Sequence, residues 1–376
     1  MKIGFVLDDS LDKSDGVQQY VITLGRWYSS IGHEVHYLVG QTKRSDIANI
    51  HSLSRNIHVR FNKNRMSMPY HANRRNIKKL LEEEQFDVLH VQMPYSPFMA
   101  GLVVKYAPKS TLVVGTFHIV PYSLIHNLAG RLLGLILQPN LRRFDQVISA
   151  SKPAASFAKQ SFLRNSLVIP NTVDLKLYSH GKLLKKYSDA KINIVYLGRL
   201  VDRKGCGYLL RAIKLLHDNH HLMNVRVVIC GKGPLEAELK QYVQDNHLST
   251  IIHFTGFVSE TDKPDYLASA HIAVFPSTGG ECFGIVLIEA MAAGSEVVLG
   301  GNNIGYKSVL GSRPDQLFSP KDTKAFANTL KHFIVNAKSR KLAKSWQARE
   351  VKQYNVEVVG HKLLKLYETL IATKTI

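Results

Sequence analysis

Short apolar runs alternate with longer amphipathic stretches along this 376-residue chain, and that alternation limits its fold more than any other feature. A first series of runs covers Lys2–Leu7, Glu34–Val39, Val88–Val91, Leu112–Phe117, Gln146–Ala150 and Ser166–Ile169, with helical stretches such as Val17–Ile31 and Arg74–Glu84 between them. Runs that are apolar throughout are those of strands buried on both faces, so the pattern predicts α/β architecture with parallel sheets covered by helices. A second series restarts at Ile192–Leu197 and continues through Val225–Cys230, Ile252–Thr255, Ile272–Phe275 and Glu296–Leu299. Open sheets rarely exceed about ten strands, so the restart predicts a second domain. We place the domains at 1–170 and 190–350, with a boundary in the polar segment between Asn171 and Lys191. A last helix over 356–371 is expected to return to the first domain.

Composition removes several classes of protein. Hydrophobic residues at 45% and charged residues at 21% are ordinary for a globular chain. No stretch approaches the roughly 20 apolar residues needed to cross a bilayer, and the run Leu132–Leu137 is far too short. The opening Met1-Lys2-Ile3-Gly4-Phe5-Val6-Leu7 has no cleavage region and reads as a buried strand, which places the chain in the cytoplasm. Cys206, Cys230 and Cys282 form no CxxC pair, which argues against a disulfide frame or a zinc site. The outlier is a net charge of +20, which favours nucleic acid, an anionic membrane surface or phosphorylated substrates without choosing among them.

Several segments carry chemistry at the ends of expected strands. Gly16, after Asp12-Lys-Ser-Asp15, opens the first helix, where backbone N–H groups can approach an anion or simply make a turn. Tyr196-Leu-Gly-Arg199-Leu-Val-Asp-Arg203-Lys204-Gly205 follows a strand, so Arg199 and Lys204 suit a diphosphate in the crevice beyond the carboxyl ends. Gly231-Lys-Gly233-Pro234 lacks the third glycine of a dinucleotide fingerprint and reads as a tight turn. The most informative segment runs from Ser277 through Gly279-Gly280-Glu281-Cys-Phe283-Gly284-Ile285-Val286 to Glu289 and Gly294. It puts Glu281 on a loop before a helix, Glu289 about one turn inside, and free N–H groups near Phe283 to Val286. Helix-end amides favour an anion, while carboxylates accept from sugar hydroxyls. His118 closes another strand end. His217-Asp-Asn-His220-His221 reads as a solvated loop rather than a metal tract, and no DxD, HExxH or G-x-S-x-G pattern occurs. Arg74, Arg75, Lys78 and Lys79 place like charges at i,i+4 beside the apolar Ile77, Leu80 and Leu81, the pattern of a basic amphipathic helix at a membrane surface or of a solvated face.

Together these residues resemble the family 4 retaining glycosyltransferases of the GT-B fold, and especially the bacterial phosphatidylinositol α-mannosyltransferases. The resemblance runs from Met1 to about residue 370. Its blocks are Gly16-Val-Gln18, Phe86-Asp-Val-Leu-His90, Thr116-Phe-His118, Ile169-Pro-Asn171-Thr-Val-Asp174, Gly198-Arg199 with Arg203-Lys204-Gly205, and Gly280-Glu281 through Gly294. It implies two Rossmann-like domains facing each other across a deep crevice. It also implies transfer of a hexose, mannose from GDP-mannose, to phosphatidylinositol or a related lipid at the inner face of the plasma membrane, without a bound metal or other cofactor. Gly16 would lie by the β-phosphate, Arg199 and Lys204 would hold the diphosphate, and Glu281, with amides near Phe283 and Gly284, would bind the donor sugar. Glu289 would accept from the ribose, Val258 and Lys263 would line the guanine pocket, Ile285 and Val286 would complete the donor site, and His118 would touch the sugar. Gln18 would serve a polyol acceptor, and Arg74, Arg75, Lys78 and Lys79 would dock on anionic lipid.

Two places depart from that family. Asp15 stands where the relatives carry a second glycine, which brings an acid near the expected phosphate. Ile119-Val-Pro-Tyr122-Ser replaces the threonines and lysine that hold the relatives' acceptor. The alternatives are a hexosyltransferase with another nucleotide sugar and a glycan or soluble acceptor, and, from a different class, a basic nucleic-acid-binding protein. The latter has no RNP aromatics or zinc finger to support it.

Overall fold

The apolar runs of the sequence become the central strands of two parallel sheets. The computed structural model describes residues 1–12, 15–61, 64–120, 124–221 and 224–374. Packing divides the chain into two units, Met1–Thr172 with Val356–Ile376, and Val173–Asn355.

Nine strands are described in the first unit: β1 (Lys2–Leu7), β2 (Glu34–Val39), β3 (Ile50–Ser52), β4 (Ser54–Phe61), β5 (Asn64–Ala72), β6 (Val88–Gln92), β7 (Leu112–Phe117), β8 (Gln146–Ser149) and β9 (Leu167–Val168). Seven form one sheet in the order β3-β2-β1-β6-β7-β8-β9, every pair parallel. β4 and β5 pair antiparallel as a separate ribbon. Sequence reading passed over this ribbon because its letters alternate polar with apolar, whereas a central strand is apolar throughout. The helix Val356–Lys374 belongs to this unit. Tyr28 donates to the Gly360 carbonyl (3.2 Å), Tyr367 bonds the buried His90 (2.7 Å), and Lys374 pairs with Asp145 (2.9 Å).

The second unit holds β10 (Ile192–Leu197), β11 (Val225–Cys230), β12 (Ile252–Gly256), β13 (Ile272–Phe275), β14 (Val297–Gly301) and β15 (Leu317–Phe318) in the order β12-β11-β10-β13-β14-β15, again all parallel. Residues 173–190, which read as a polar boundary, lie in this unit, with Tyr178 and Tyr187 in its core. Each sheet is doubly wound and Rossmann-like. The strand order reverses between β1 and β6 in the first sheet and between β10 and β13 in the second. In open α/β sheets the crevice beyond the carboxyl ends at such a reversal is where ligands bind, so the fold nominates one place in each unit.

Candidate functional site

At the reversal of the first sheet, β1 runs into Asp8, and the next helix, Gly16–Ser30, opens with Gly16 exposed to solvent. Asp15 occupies the N-cap position in an extended conformation, but its side chain makes no capping hydrogen bond. Asp8 is buried. It accepts from the Ser96 hydroxyl and from the Ala100 N–H (2.7 Å), and burial holds its carboxyl above the usual range. Gln18, expected to face an acceptor, is only 2% exposed and donates to the Ser10 carbonyl at 3.2 Å. That bond braces the loop after β1.

His118 follows β7 directly and is half-buried. Its Nε2 lies 2.7 Å from Gln92 Oε1 at the end of β6, and the Tyr20 ring meets it edge-on at 5.0 Å. Burial pushes the His118 pKa down to about 3, so the ring is neutral throughout the physiological range. Of the segment after it, Ile119 and Val120 are described, whereas Pro121, Tyr122 and Ser123 lie outside the described residues.

The reversal of the second sheet gathers the cations. Arg199 lies just beyond β10, its carbonyl accepting from the Tyr196 hydroxyl at 3.0 Å. Arg203 and Lys204 stand on the following turn, which ends at Gly205 with φ +75°. A Cβ there would fall 1.9 Å from the Pro276 carbonyl, so only glycine lets this turn close on the loop after β13. The two loops are then laced together, the Arg203 carbonyl accepting from Thr278 N–H (2.9 Å) and the Ser277 hydroxyl (3.1 Å).

That lacing delivers Glu281 to three donors. Arg203 (2.7 Å), Lys204 (2.8 Å) and the Ser277 hydroxyl (2.8 Å) all reach the same oxygen, Oε1. Burial alone would raise this carboxyl, but Lys204 and Arg203 outweigh it and hold the pKa down at about 2. The Lys204 pKa is lowered as well, because burial penalises its ammonium and Glu281 compensates only in part. The result is a fixed carboxylate with an ammonium and a guanidinium beside it. Such a group accepts from hydroxyls, and its cations can turn to a diphosphate. Arg203 and Ser277 were absent from the residues chosen on sequence. Arg203 stood inside the chosen motif, and only the spatial approach of the two loops shows that it shares Glu281 with Lys204.

Beyond Glu281 the chain turns at Gly284, φ +99°, where a Cβ would meet the Tyr306 ring at 2.6 Å. The helix Ile285–Ala292 starts there. Phe283 is buried against Tyr354, while Ile285 and Val286 are half-buried. Glu289, one turn in, is buried and accepts from Lys263 Nζ at 3.0 Å; Glu260 takes the same ammonium at 2.7 Å. Burial would lower the Lys263 pKa, yet the two carboxylates leave it raised. The resemblance gave Glu281 to the donor sugar, Glu289 to the ribose and Lys263 with Val258 to the guanine pocket. In the structure Glu289 and Lys263 are partners of each other, at 5% and 6% exposure, and Val258 packs beside that core.

The helix Arg74–Glu84 carries Arg74, Arg75, Lys78 and Lys79 outward, all exposed. Lys79 pairs with Glu83 (3.6 Å), and Lys78 lies over the Tyr106 ring (4.8 Å). Its apolar side is not available to a membrane, because Ile77 and Leu81 are buried in the first unit's core and Leu80 packs against it. A groove of about 730 Å³ beside Arg74 and Arg75 is lined also by Tyr70, Phe98, Met99 and Leu102. Away from both sites, His36, His51 and Glu84 bring ligand atoms within 4.8 Å of one another. They already satisfy one another and Lys2: His36 bonds His51 (2.9 Å), and Lys2 holds Glu84 (2.9 Å). Among the described residues no helix is long and apolar enough to cross a membrane.

The family described as Glycosyltransferase Family 4 matches residues 14–177, and that described as Glycosyl transferases group 1 matches residues 184–350. Phosphatidyl-myo-inositol mannosyltransferase of Mycolicibacterium smegmatis is 28% identical over 373 residues, covering 98% of this chain and 94% of the relative. The protein of that name from Mycobacterium tuberculosis is 28% identical over 378 residues, covering 98% and 97%. Among solved structures, a glycosyltransferase from Rickettsia africae superposes with a TM-score of 0.76 at 16% identity, over 98% of this chain and 99% of that one. At that identity the likeness speaks for the fold alone.

Proposed function

The chain belongs to the GT-B glycosyltransferases, carrying a family 4 domain followed by a group 1 domain, and we propose that it transfers mannose from GDP-mannose, with retention, to phosphatidylinositol or a related lipid at an anionic membrane surface. The observation that carries the reading is the Arg203–Lys204–Ser277–Glu281 cluster at the reversal of the second sheet. In this reading Arg199 and Lys204 take up the charge that grows on the departing diphosphate, and Glu281 accepts from hydroxyls of the donor sugar. Preorganised cations in a partly buried site stabilise such charge far more than they would in water. Lys263 and Glu289 shape the nucleoside pocket as a buried pair, and Gly16 and His118 serve the phosphate and the sugar. No metal is required, so treatment with EDTA leaves the rate unchanged.

Support for a lipid acceptor comes from the names of the relatives, from the exposed Arg74, Arg75, Lys78 and Lys79, and from the partly apolar groove beside the two arginines. Because the apolar side of that helix is packed inward, its share of membrane binding is electrostatic, worth about 1 kcal/mol for each basic residue near the surface. The test is transfer of labelled mannose from GDP-mannose to vesicles with and without phosphatidylinositol, with lipid product separated from free sugar. Labelled lipid that forms only with phosphatidylinositol is the expected result. Equal transfer to a soluble glycoside without vesicles would overturn the acceptor, and no use of GDP-mannose at all would overturn the donor.

A further inference from the structure

Gln92 has no role in the reaction as set out above, yet it is fully buried at the carboxyl end of β6, opposite Thr116 of β7. Its amide has one orientation that satisfies both neighbours. Nε2 donates to the His90 carbonyl at 3.3 Å, which turns Oε1 toward His118 Nε2 at 2.7 Å. The flipped amide would set oxygen against the carbonyl oxygen, a repulsive contact. The backbone carbonyl on one side therefore fixes the amide, and the amide fixes the imidazole.

An amide oxygen can only accept, so His118 must carry its proton on Nε2. Nδ1 is left with a lone pair and no partner among the described residues. The strand that holds Gln92 is itself held. His90, two residues earlier, bonds Thr116 Oγ1 (2.6 Å) through Nε2 and the Tyr367 hydroxyl (2.7 Å) through Nδ1. The helix Val356–Lys374 is thereby tied to the same corner of the sheet.

We infer that Gln92 is a positioning residue for His118: it fixes the imidazole as the Nε2–H tautomer and so makes Nδ1 an acceptor for a hydroxyl group, of the sugar or of the acceptor polyol, and not a donor to phosphate. The hydroxyl half of this inference rests on the proposed function, whereas the tautomer half does not. Neutrality of the ring, which its burial enforces, fits an acceptor and does not suit a phosphate contact. The inference also separates His118 from Arg199 and Lys204, whose charge suits the diphosphate.

Two readouts test it on the full chain. Long-range 1H–15N correlation of histidine-labelled protein, with His118 assigned by its loss in His118→Gln, should show the Nε2–H form in the wild type and a mixture of tautomers in Gln92→Leu. An Nδ1–H form in the wild type, or a spectrum unchanged in Gln92→Leu, overturns the inference. In the mannose-transfer assay Gln92→Leu should lower kcat by about tenfold or more with KM for GDP-mannose little changed, the scale of a misplaced acid–base group. Gln92→Glu, whose carboxylate also accepts from Nε2–H, should restore most of the rate. It should also bring an acidic limb into the pH profile, because a carboxylate stabilises the imidazolium. Equal loss in both variants, with no change in the pH profile, assigns Gln92 a merely structural role and overturns the inference. Wild-type transfer by His118→Ala would sink the function assigned to His118 while leaving the tautomer result intact, so the two failures are distinguishable.

Discussion

Glu281 shows how one side chain takes its properties from its neighbours. Its carboxyl is held at about 2 against an ordinary 4.5, a shift that stabilises the fold and is offset in part by the lowered pKa of Lys204. A folded pKa below the unfolded value means that this contribution is whole above pH 4.5 and is lost as pH falls through 2. Glu281→Ala leaves Arg203 and Lys204 without their shared partner, so we expect a loss of roughly 3 kcal/mol in urea unfolding, together with a drop in transfer of about 100-fold or more. His90 and His118 act in a different acid window. Both have folded pKa values of about 3, set by burial, so the unfolded chain takes up their protons first. Stability should therefore fall as pH drops from 6.5 toward 3, by up to about 1.4 kcal/mol per pH unit for each ring, and His118→Gln should remove part of that slope. At this scale the sequence was legible where a residue type and a strand end coincide, as at Arg199, Lys204, Glu281 and His118. It was silent on Gln92, Arg203 and Ser277, because their importance lies in contacts between segments 26 to 78 residues apart, His118–Gln92, Arg203–Glu281 and Ser277–Arg203.

The element Arg74–Glu84 divides two kinds of energy between its two faces. Ile77→Ala opens a cavity in the first unit's core and should cost about 2–5 kcal/mol, whereas Lys79→Ala breaks only an exposed pair and should change stability by less than about 1 kcal/mol. Replacing both Lys78 and Lys79 by alanine should weaken binding to anionic vesicles by roughly 30-fold at low salt and leave unfolding nearly unchanged. Vesicle sedimentation set against urea unfolding separates the two effects. The turn at Gly205 shows the opposite coupling. Gly205→Ala forces a side chain into a left-handed turn against the Pro276 carbonyl, so it should lower both stability and transfer by displacing Lys204 and the loop that carries Glu281. Strands that are apolar throughout were read close to their ends, because burial on both faces leaves no other composition. The ribbon of β4 and β5, the three-residue β3 and the two-residue β15 were missed, since the ribbon is patterned for a half-exposed face and the other two are too short to show a period.

For the whole molecule, the alternation of strand and helix was enough to announce two doubly wound sheets, but strand order, and hence the places where it reverses, came only from the structure. The helix Val356–Lys374, expected from the sequence to return to the first unit, does so through tertiary contacts such as Tyr28–Gly360 and Tyr367–His90. Tyr367→Ala should destabilise the first unit by about 3–5 kcal/mol through lost burial and an orphaned His90, with the second unit's unfolding transition unmoved. The central claim is that the cations at the reversal of the second sheet hold the diphosphate of a nucleotide sugar. The most direct measurement is calorimetric titration of GDP-mannose into the wild type and into Lys204→Ala. We expect one site per chain in the wild type and a Kd raised about 10- to 100-fold in the variant, as loss of a charge-assisted contact requires. Equal affinity in the two proteins would place the donor's phosphates elsewhere and contradict the account.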